Sequence, residues 1–295
     1  MSDKYKRQPV DISIIIPSWF TNDQDGKYGK LETYWFACAC LDRLIKVTPK
    51  ERYELIIIDN GSDLTTGKLM KVFDFDGHSK EESRREDIFP IEDYWKKADI
   101  LIRNQENLGF APACNQGFNV ARGKYILCLN NDILVWEGWD KEMTDYFEEL
   151  EQTADPKPGV LMPSIVKKSY HPQFVDPKTE KMDALIALKI DKKDIRLPNI
   201  DAMESGAEFG SMWMIKKEFM DEIRCKDGYV FDENFRIGFG EDRDLWKRVR
   251  LMGKETYRNF KLRVYHQGNM SMGKIPDRKT YTEQNREYLK QKWQK

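Results

Sequence analysis

The chain has 295 residues, with 49 Lys and Arg against 50 Asp and Glu and a formal net charge of −1; it can bury a full core, and it carries no global field that would recruit nucleic acid or an anionic surface. No apolar run approaches the roughly 18 residues that cross a bilayer, and the opening MSDKYKRQPVDIS lacks a signal-peptide core, so a soluble, cytoplasmic protein is expected. Five cysteines (Cys38, Cys40, Cys114, Cys128 and Cys225) form an odd set without a CxxC pair, which points to reduced, packed thiols rather than a disulfide framework or a zinc site.

The first apolar run, Ile12 to Ile16, has strand length and leads through Pro17 into Ser18-Trp19-Phe20; no GxGxxG follows it, which argues against a nicotinamide dinucleotide site. Apolar residues then recur at helical spacing over Leu31 to Val47. Leu55 to Ile58 is a second strand, ending in Asp59-Asn60-Gly61. Strand, helix, strand is the unit of a parallel sheet. The charged interval Asp74 to Lys97 reads as a solvated helix or mobile insertion and is assigned no chemistry. A strand at Ile100 to Arg103, a helix around Pro112 to Arg122 stopped at Gly123, and a strand over Tyr125 to Leu129 complete an open α/β sheet. Its ligand should lie outside the carboxyl ends of the strands, where the polar ends would share one rim.

Beyond Trp139 the pattern changes. Helical spacing runs from Met143 to Leu150, a break covers Asp155 to Gly159, and the stretch through Asn199 is irregular. Apolar density returns at Met212 to Ile215. An amphipathic helix over Asp242 to Met252 carries Leu245, Trp246, Val249 and Met252, and a last strand, Leu262 to Tyr265, delivers His266. The tail, Ser271 to Lys295, holds seven basic residues against three acids. It reads as a surface helix packing Tyr281, Tyr288, Leu289 and Trp293, or as a contact for an anionic lipid carrier, a polysaccharide or DNA; no basic patch with interleaved aromatics elsewhere supports nucleic acid.

Several polar stretches could carry chemistry. Asp59-Asn60-Gly61 is either an Asn-Gly turn or a place where a carboxylate meets a base or ribose. Asn107-Leu108-Gly109-Phe110, with Asn115 and Gly117, either caps a helix or lets a phosphate approach its N-terminus. Asn130-Asn131-Asp132 ends an apolar strand with no turn residue between, and Asp132 there could hold a hard divalent cation with help from a ligand's phosphates. Asp242 and Asp244, after Phe239-Gly240-Glu241, either cap a first helical turn or supply a general base. His266 is structural, or it is a neutral imidazole that suits Mn²⁺ beside oxygen donors.

In order, Ser13-Ile14-Ile15-Ile16-Pro17, Ile57-Ile58-Asp59-Asn60-Gly61-Ser62, Asn107-Leu108-Gly109-Phe110, Asn115-Gln116-Gly117, Leu129-Asn130-Asn131-Asp132, Phe231-Asp232-Glu233, Glu241-Asp242-Arg243-Asp244-Leu245 and His266 resemble family 2 glycosyltransferases of the GT-A fold, especially their rhamnosyltransferase-like branch, over about residues 11 to 270. The resemblance implies a Rossmann-like, mostly parallel central sheet flanked by helices. It divides the chain into an extension at 1–10, a nucleotide-sugar-binding half at 11–135, an acceptor-binding and catalytic half of the same domain at 136–270, and the basic tail at 271–295.

The resemblance also implies roles. Pro17, Ser18, Asp59, Asn60 and Gly61 fall where base and ribose are held, Asn107, Gly109 and Asn115 fall beside the ribose and diphosphate, and Asn130-Asn131-Asp132 matches the DxD-type motif. Asp132 is the implied metal-binding acid, His266 completes the shell of Mn²⁺ or Mg²⁺, Asp242 is the base, and Glu241 places the acceptor. The implied reaction is inverting transfer of a sugar from a nucleoside-diphosphate donor, with UDP favoured over dTDP or GDP, to a glycan, lipid-linked or other hydroxyl acceptor, with peripheral membrane contact left open. Ser18-Trp19-Phe20 and the longer loop to Lys30 depart from the family pattern, and Asp74 to Lys97 has no counterpart in it. Two alternatives stand beside this reading: a catalytically silent sugar-nucleotide or glycan-binding module, and a metal-dependent nucleotidyltransferase.

Overall fold

The structure, a computed structural model, describes residues 10–21, 32–63, 91–167, 195–196, 210–266, 275 and 277–294, without the side chains of residues 32, 35, 166, 167, 195, 196 and 260. The polar loop to Lys30, most of the charged interval (through residue 90), most of the irregular stretch through Asn199, and residues 267–274 lie outside the described residues.

The chain opens as a parallel sheet. Strand β1 (Ile12–Ser18) pairs in parallel with β2 (Tyr53–Asn60) and with β4 (Tyr125–Leu129), and β2 pairs in parallel with β3 (Ile100–Asn104). The apolar runs are continuous because both faces of the sheet are covered. Ile12, Ile14, Ile16, Leu55, Ile57, Leu127 and Leu129 pack with α1 (Glu32–Val47) and α4 (Trp139–Thr153) on one face. The alternate residues, Ile15, Ile56, Ile58, Ile126 and Cys128, pack on the other with α3 (Phe110–Val120). That period of two follows from the pleat.

The second half adds antiparallel pairing to the same sheet. Strand β8 (Met212–Lys216) runs antiparallel to β4, with Leu129 opposite Met212. It sends Met212 and Met214 to the first core and Trp213 and Ile215 to the second. The order is β3-β2-β1-β4-β8-β6-β9-β5, where β5 is Ile133–Leu134, β6 is Pro158–Lys167 and β9 is Glu255–His266, and the short β7 (Ile195–Arg196) pairs with β9. Helices α5 (Lys217–Glu222) and α6 (Glu241–Leu251) lie on the second core, and α7 (Arg278–Trp293) follows. The short α2 (Ile91–Trp95) begins inside the charged interval and buries Ile91 and Tyr94.

Strand β9 is longer than the apolar stretch Leu262 to Tyr265 suggests, and β6 was not foreseen. The two pair in parallel with a register shift between Pro163 and Ser164, a place where proline's missing N–H is tolerated. At the sheet's amino-terminal edge, Ser13 Oγ donates to Glu54 (2.6 Å), and Glu54 accepts from the Arg122 backbone (2.9 Å) and side chain. This buried knot ties β1, β2 and the exit of α3 together. Among the described residues no helix is long and apolar enough to cross a membrane.

Candidate active site

The polar strand ends gather on the carboxyl edge. Ser18 lies opposite Asp59, and Asn60 opposite Asn104. Over β2 and β3 the polar groups are paired with one another. Asp59, 1 % exposed, accepts from Ser62 N–H and from Arg103 Nε, both at 3.0 Å, and the Arg103 guanidinium lies over the Trp95 ring. Asn60 Nδ2 donates to Asn107 Oδ1 (2.9 Å) and to the Gly109 carbonyl (3.1 Å), while its Oδ1 accepts from Asn104 and Leu108. Gly61 has φ 76°, and a Cβ there would stand 2.3 Å from the Glu106 carbonyl carbon, so the turn requires glycine. Pro17 sits opposite Ile58, and Ser18 Oγ shares a hydrogen bond with the buried Tyr94 hydroxyl (3.1 Å).

Asn115 lies within α3 rather than in the loop before it. It donates to the Phe231 carbonyl (2.8 Å) and to Glu233 (3.0 Å), and accepts from Phe231 N–H (3.0 Å). Its amide fastens the 231–233 segment to α3.

Asp132 and His266 meet. Ile133 of β5 pairs with His266 at the end of β9, which sets Asp132 Oδ1 3.1 Å from His266 Nε2, both side chains being less than a tenth exposed. Asn130 donates its backbone N–H to the Ser211 carbonyl (2.8 Å). Its buried Oδ1 has no hydrogen-bond partner among the described residues, and the Ser211 hydroxyl is in the same condition. Asn131 is buried beside them.

Asp242 also meets the strand that begins beyond Gly210. Its Oδ1 accepts the Arg243 N–H (2.7 Å), and its Oδ2 faces Gly210, where a Cβ would come within 3.1 Å of it. Gly210 also has φ 88°, so any side chain there would be strained and would press on the carboxylate. Gly210-Ser211 thus touches Asn130 through the Ser211 carbonyl and Asp242 at Gly210. Sequence reading missed this pair; its only cue was a glycine ahead of the apolar Met212 to Ile215.

Glu241 and Asp242 crowd one another. Burial, and then the Asp242 charge, push the Glu241 carboxyl up to about 8, and burial raises Asp242 as well against the pull of the Arg243 N–H and guanidinium. Glu241 Oε2 is buried with no hydrogen-bond partner among the described residues. Two close carboxyls resist ionising together, so each holds its proton more tightly than an isolated acid would. Asp244 does neither of the things its place in the first turn suggests. Fully buried, it accepts from Arg248 (2.9 Å) and Trp293 (3.0 Å) and pairs with Lys292 (2.7 Å), joining α6 to α7.

The turn leading into α6 carries two non-glycine residues with positive φ, Ile237 at 64° and Phe239 at 74°. Such conformations cost on the order of 1–3 kcal/mol each and persist where the surroundings over-determine them. The Ile237 carbonyl accepts the Phe110 N–H (2.8 Å), so the turn also touches the start of α3.

As a cation site, Asp132 and His266 could supply a carboxylate oxygen and an imidazole nitrogen; Asn130, two residues before Asp132, has a buried side-chain oxygen with no hydrogen-bond partner among the described residues. That donor set suits Mn²⁺ or Mg²⁺ held jointly with phosphate oxygens. Among the described residues no group of three or more His, Cys, Asp or Glu side chains forms a cage without a ligand.

The family model described as glycosyl transferase family 2 matches residues 36–224, more than half of the chain and ending before Glu241, Asp242 and His266. Glycosyltransferase GlyG of Streptococcus pneumoniae serotype 4 is 22 % identical over 236 residues, 75 % of this chain and 62 % of GlyG. The crystal structure of S. aureus TarS 1-349 in complex with UDP-GlcNAc superposes with a TM-score of 0.55 at 15 % identity, covering 90 % of this chain and 62 % of that one; the complex with UDP gives 0.52 at 13 %, covering 88 % and 60 %. The mixed α/β architecture with its curled central sheet is thus the GT-A fold of TarS, and the chain spans about three fifths of the length of these relatives.

Proposed function

The chain belongs to glycosyl transferase family 2, and we propose that it moves a sugar from a nucleoside-diphosphate donor, UDP favoured, to an acceptor hydroxyl with inversion, Asp242 acting as general base. One observation carries this reading: Asp242 Oδ2 faces Gly210, while the next residue, Ser211, is bonded to the Asn130 backbone two positions before Asp132. The proposed base meets this short segment directly, and the acid with its histidine partner is linked to it through Asn130. The TarS structures with UDP and UDP-GlcNAc support a UDP-sugar donor, because the fold that holds those ligands is the fold of this chain.

The chain's own residues perform the following steps. Asp132 and His266, with Asn130 Oδ1, would hold a divalent cation, which when bound supplies Lewis-acid neutralisation of the diphosphate leaving group. Asp242 has one oxygen fixed by the Arg243 N–H and presents the other toward Gly210, where it takes the proton of the incoming hydroxyl. A raised carboxyl is a better base near neutral pH than an ordinary one. Glu241, neutral in this range, can donate a hydrogen bond that orients the acceptor. Asp59, tied to Arg103, and the network around Asn60 shape the nucleotide side.

Incubating the protein with UDP-GlcNAc and other UDP-, dTDP- and GDP-sugars in Mn²⁺, without acceptor, tests the reading through slow release of the nucleoside diphosphate. Release that needs Mn²⁺ and is lost in chelator supports it. Absence of release from every donor, or release unaffected by chelator, overturns it.

A further inference from the structure

We propose that Asn285 is a positioning residue for the Glu241–Asp242 pair: from α7 it clamps the turn at residues 236–238 that leads into α6. Asn285 is the buried residue of α7, 2 % exposed, on a helix whose other described side chains are partly or fully exposed. A helix that buries an amide instead of an apolar stripe does so for a partner. Here Nδ2 donates to the Arg236 carbonyl (2.9 Å) and to the Gly238 carbonyl (2.7 Å), and Oδ1 accepts the Arg236 N–H (3.1 Å). One side chain thus replaces the strand or helix neighbours that a turn in this position lacks.

The clamped turn is the strained one. Ile237 and Phe239 hold positive φ within it, and Gly240 follows with a Cβ position only 2.8 Å from the Phe235 ring. Released from Asn285, the β-branched Ile237 would relax to negative φ, and the helix start bearing Glu241 and Asp242 would move with it. The Ile237 carbonyl also holds the Phe110 N–H beside Gly109, so the same turn connects the base to the nucleotide half. Other side chains of α7 bond elsewhere: the Tyr288 hydroxyl and Lys292 bond Asp232, and Lys292 and Trp293 bond Asp244, while Arg278 lies over the Phe239 ring and the Tyr288 ring packs on Phe235 beside the turn. They anchor the helix without hydrogen-bonding residues 236–238, which lets clamp and anchor be separated.

The catalytic half of this inference rests on the sugar-transfer reading; the clamp itself does not. The test uses the full chain with Asn285→Ala, the isosteric Asn285→Asp (which keeps the acceptor and loses both donations) and Tyr288→Phe as an anchor control. Amide hydrogen exchange over residues 236–242 is read beside UDP release from UDP-GlcNAc in Mn²⁺. Both Asn285 variants should speed exchange over 236–242 by about tenfold or more and lower kcat about tenfold at a KM within about twofold. Tyr288→Phe should lower Tm while leaving kcat and the 236–242 exchange unchanged. Unchanged exchange in both Asn285 variants, equal acceleration in Tyr288→Phe, or faster exchange with full kcat would overturn the proposal. A wild type that releases no UDP counts against the donor reading, while the exchange result still decides whether Asn285 clamps the turn.

Discussion

Two stretches of one sheet edge differ in how their polar groups are spent. Over β2 and β3, Asp59, Asn60, Asn104 and Asn107 are paired with each other, with Arg103 and with nearby backbone. At the ends of β4 and β8 and the start of α6, buried oxygens of Asn130, Ser211 and Glu241 have no hydrogen-bond partner among the described residues, and the Glu241 and Asp242 carboxyls crowd one another. A buried polar group without a partner costs about 1–3 kcal/mol. The first stretch is therefore a finished scaffold, and the second has capacity that the cation, diphosphate and sugar of the proposed reaction would use. Proteins commonly concentrate such costs where function needs them.

The comparison can be broken most forcefully at Asp242. Asp242→Asn should lower nucleoside-diphosphate release or transfer by about 10²- to 10⁴-fold while the melting temperature holds or rises, since the change removes a crowded charge. Because burial raises Asp242, activity should also have an acid limb above the ordinary aspartate range, present above that pKa and lost as pH falls through it. A pH–rate profile flat down to the ordinary range would contradict this.

Asp132→Ala should weaken Mn²⁺-dependent nucleotide binding by about 10- to 100-fold, the range typical of a disturbed metal site, and titration of Mn²⁺ with UDP present measures it. On the finished side, Asn60→Ala strands its partners at 104, 107, 108 and 109, and a denaturant melt should show about 1–3 kcal/mol lost.

The smallest effect has opposite sign. Glu241 binds its proton more tightly folded than unfolded, so the stability tied to that proton is present below the ordinary glutamate pKa and lost as pH rises through about 8. Glu241→Gln removes that loss. Its Tm should exceed the wild type by about 2–4 °C above pH 8 and converge with it only below the ordinary glutamate range. Thermal melts across pH check the sign, and a variant less stable than wild type at high pH would count against the crowding.

Much of this was legible in the sequence because strands covered on both faces advertise themselves, and polar residues at their ends stand out. Asp132 and His266 each follow an apolar run, and the shared edge follows from parallel topology. What stayed hidden depends on contacts between distant, ordinary residues. Nothing marks Asn285 among the polar residues of α7, yet it is the buried one. Asp244 sits where first-turn acids serve as caps, and only the docking of α7 makes it an ion-pair hub. Strand β9 was read short because Arg258, Asn259, Lys261 and Arg263 interrupt its apolar pattern, while its pairing with β6 carries the strand through them. The start of α3 lies two residues before Pro112, since proline is tolerated in a first helical turn.

The account turns on whether Asp132 and His266 form a cation site that a nucleoside diphosphate completes. Thermal shift of the wild type and of Asp132→Ala with UDP, in Mn²⁺ and in chelator, measures that most directly. A ligand at 100 times its Kd stabilises the folded state by about 2.7 kcal/mol, so UDP with Mn²⁺ should raise the wild-type Tm clearly, and neither UDP in chelator nor UDP with Mn²⁺ on Asp132→Ala should match it. Equal stabilisation in all three conditions would contradict the account.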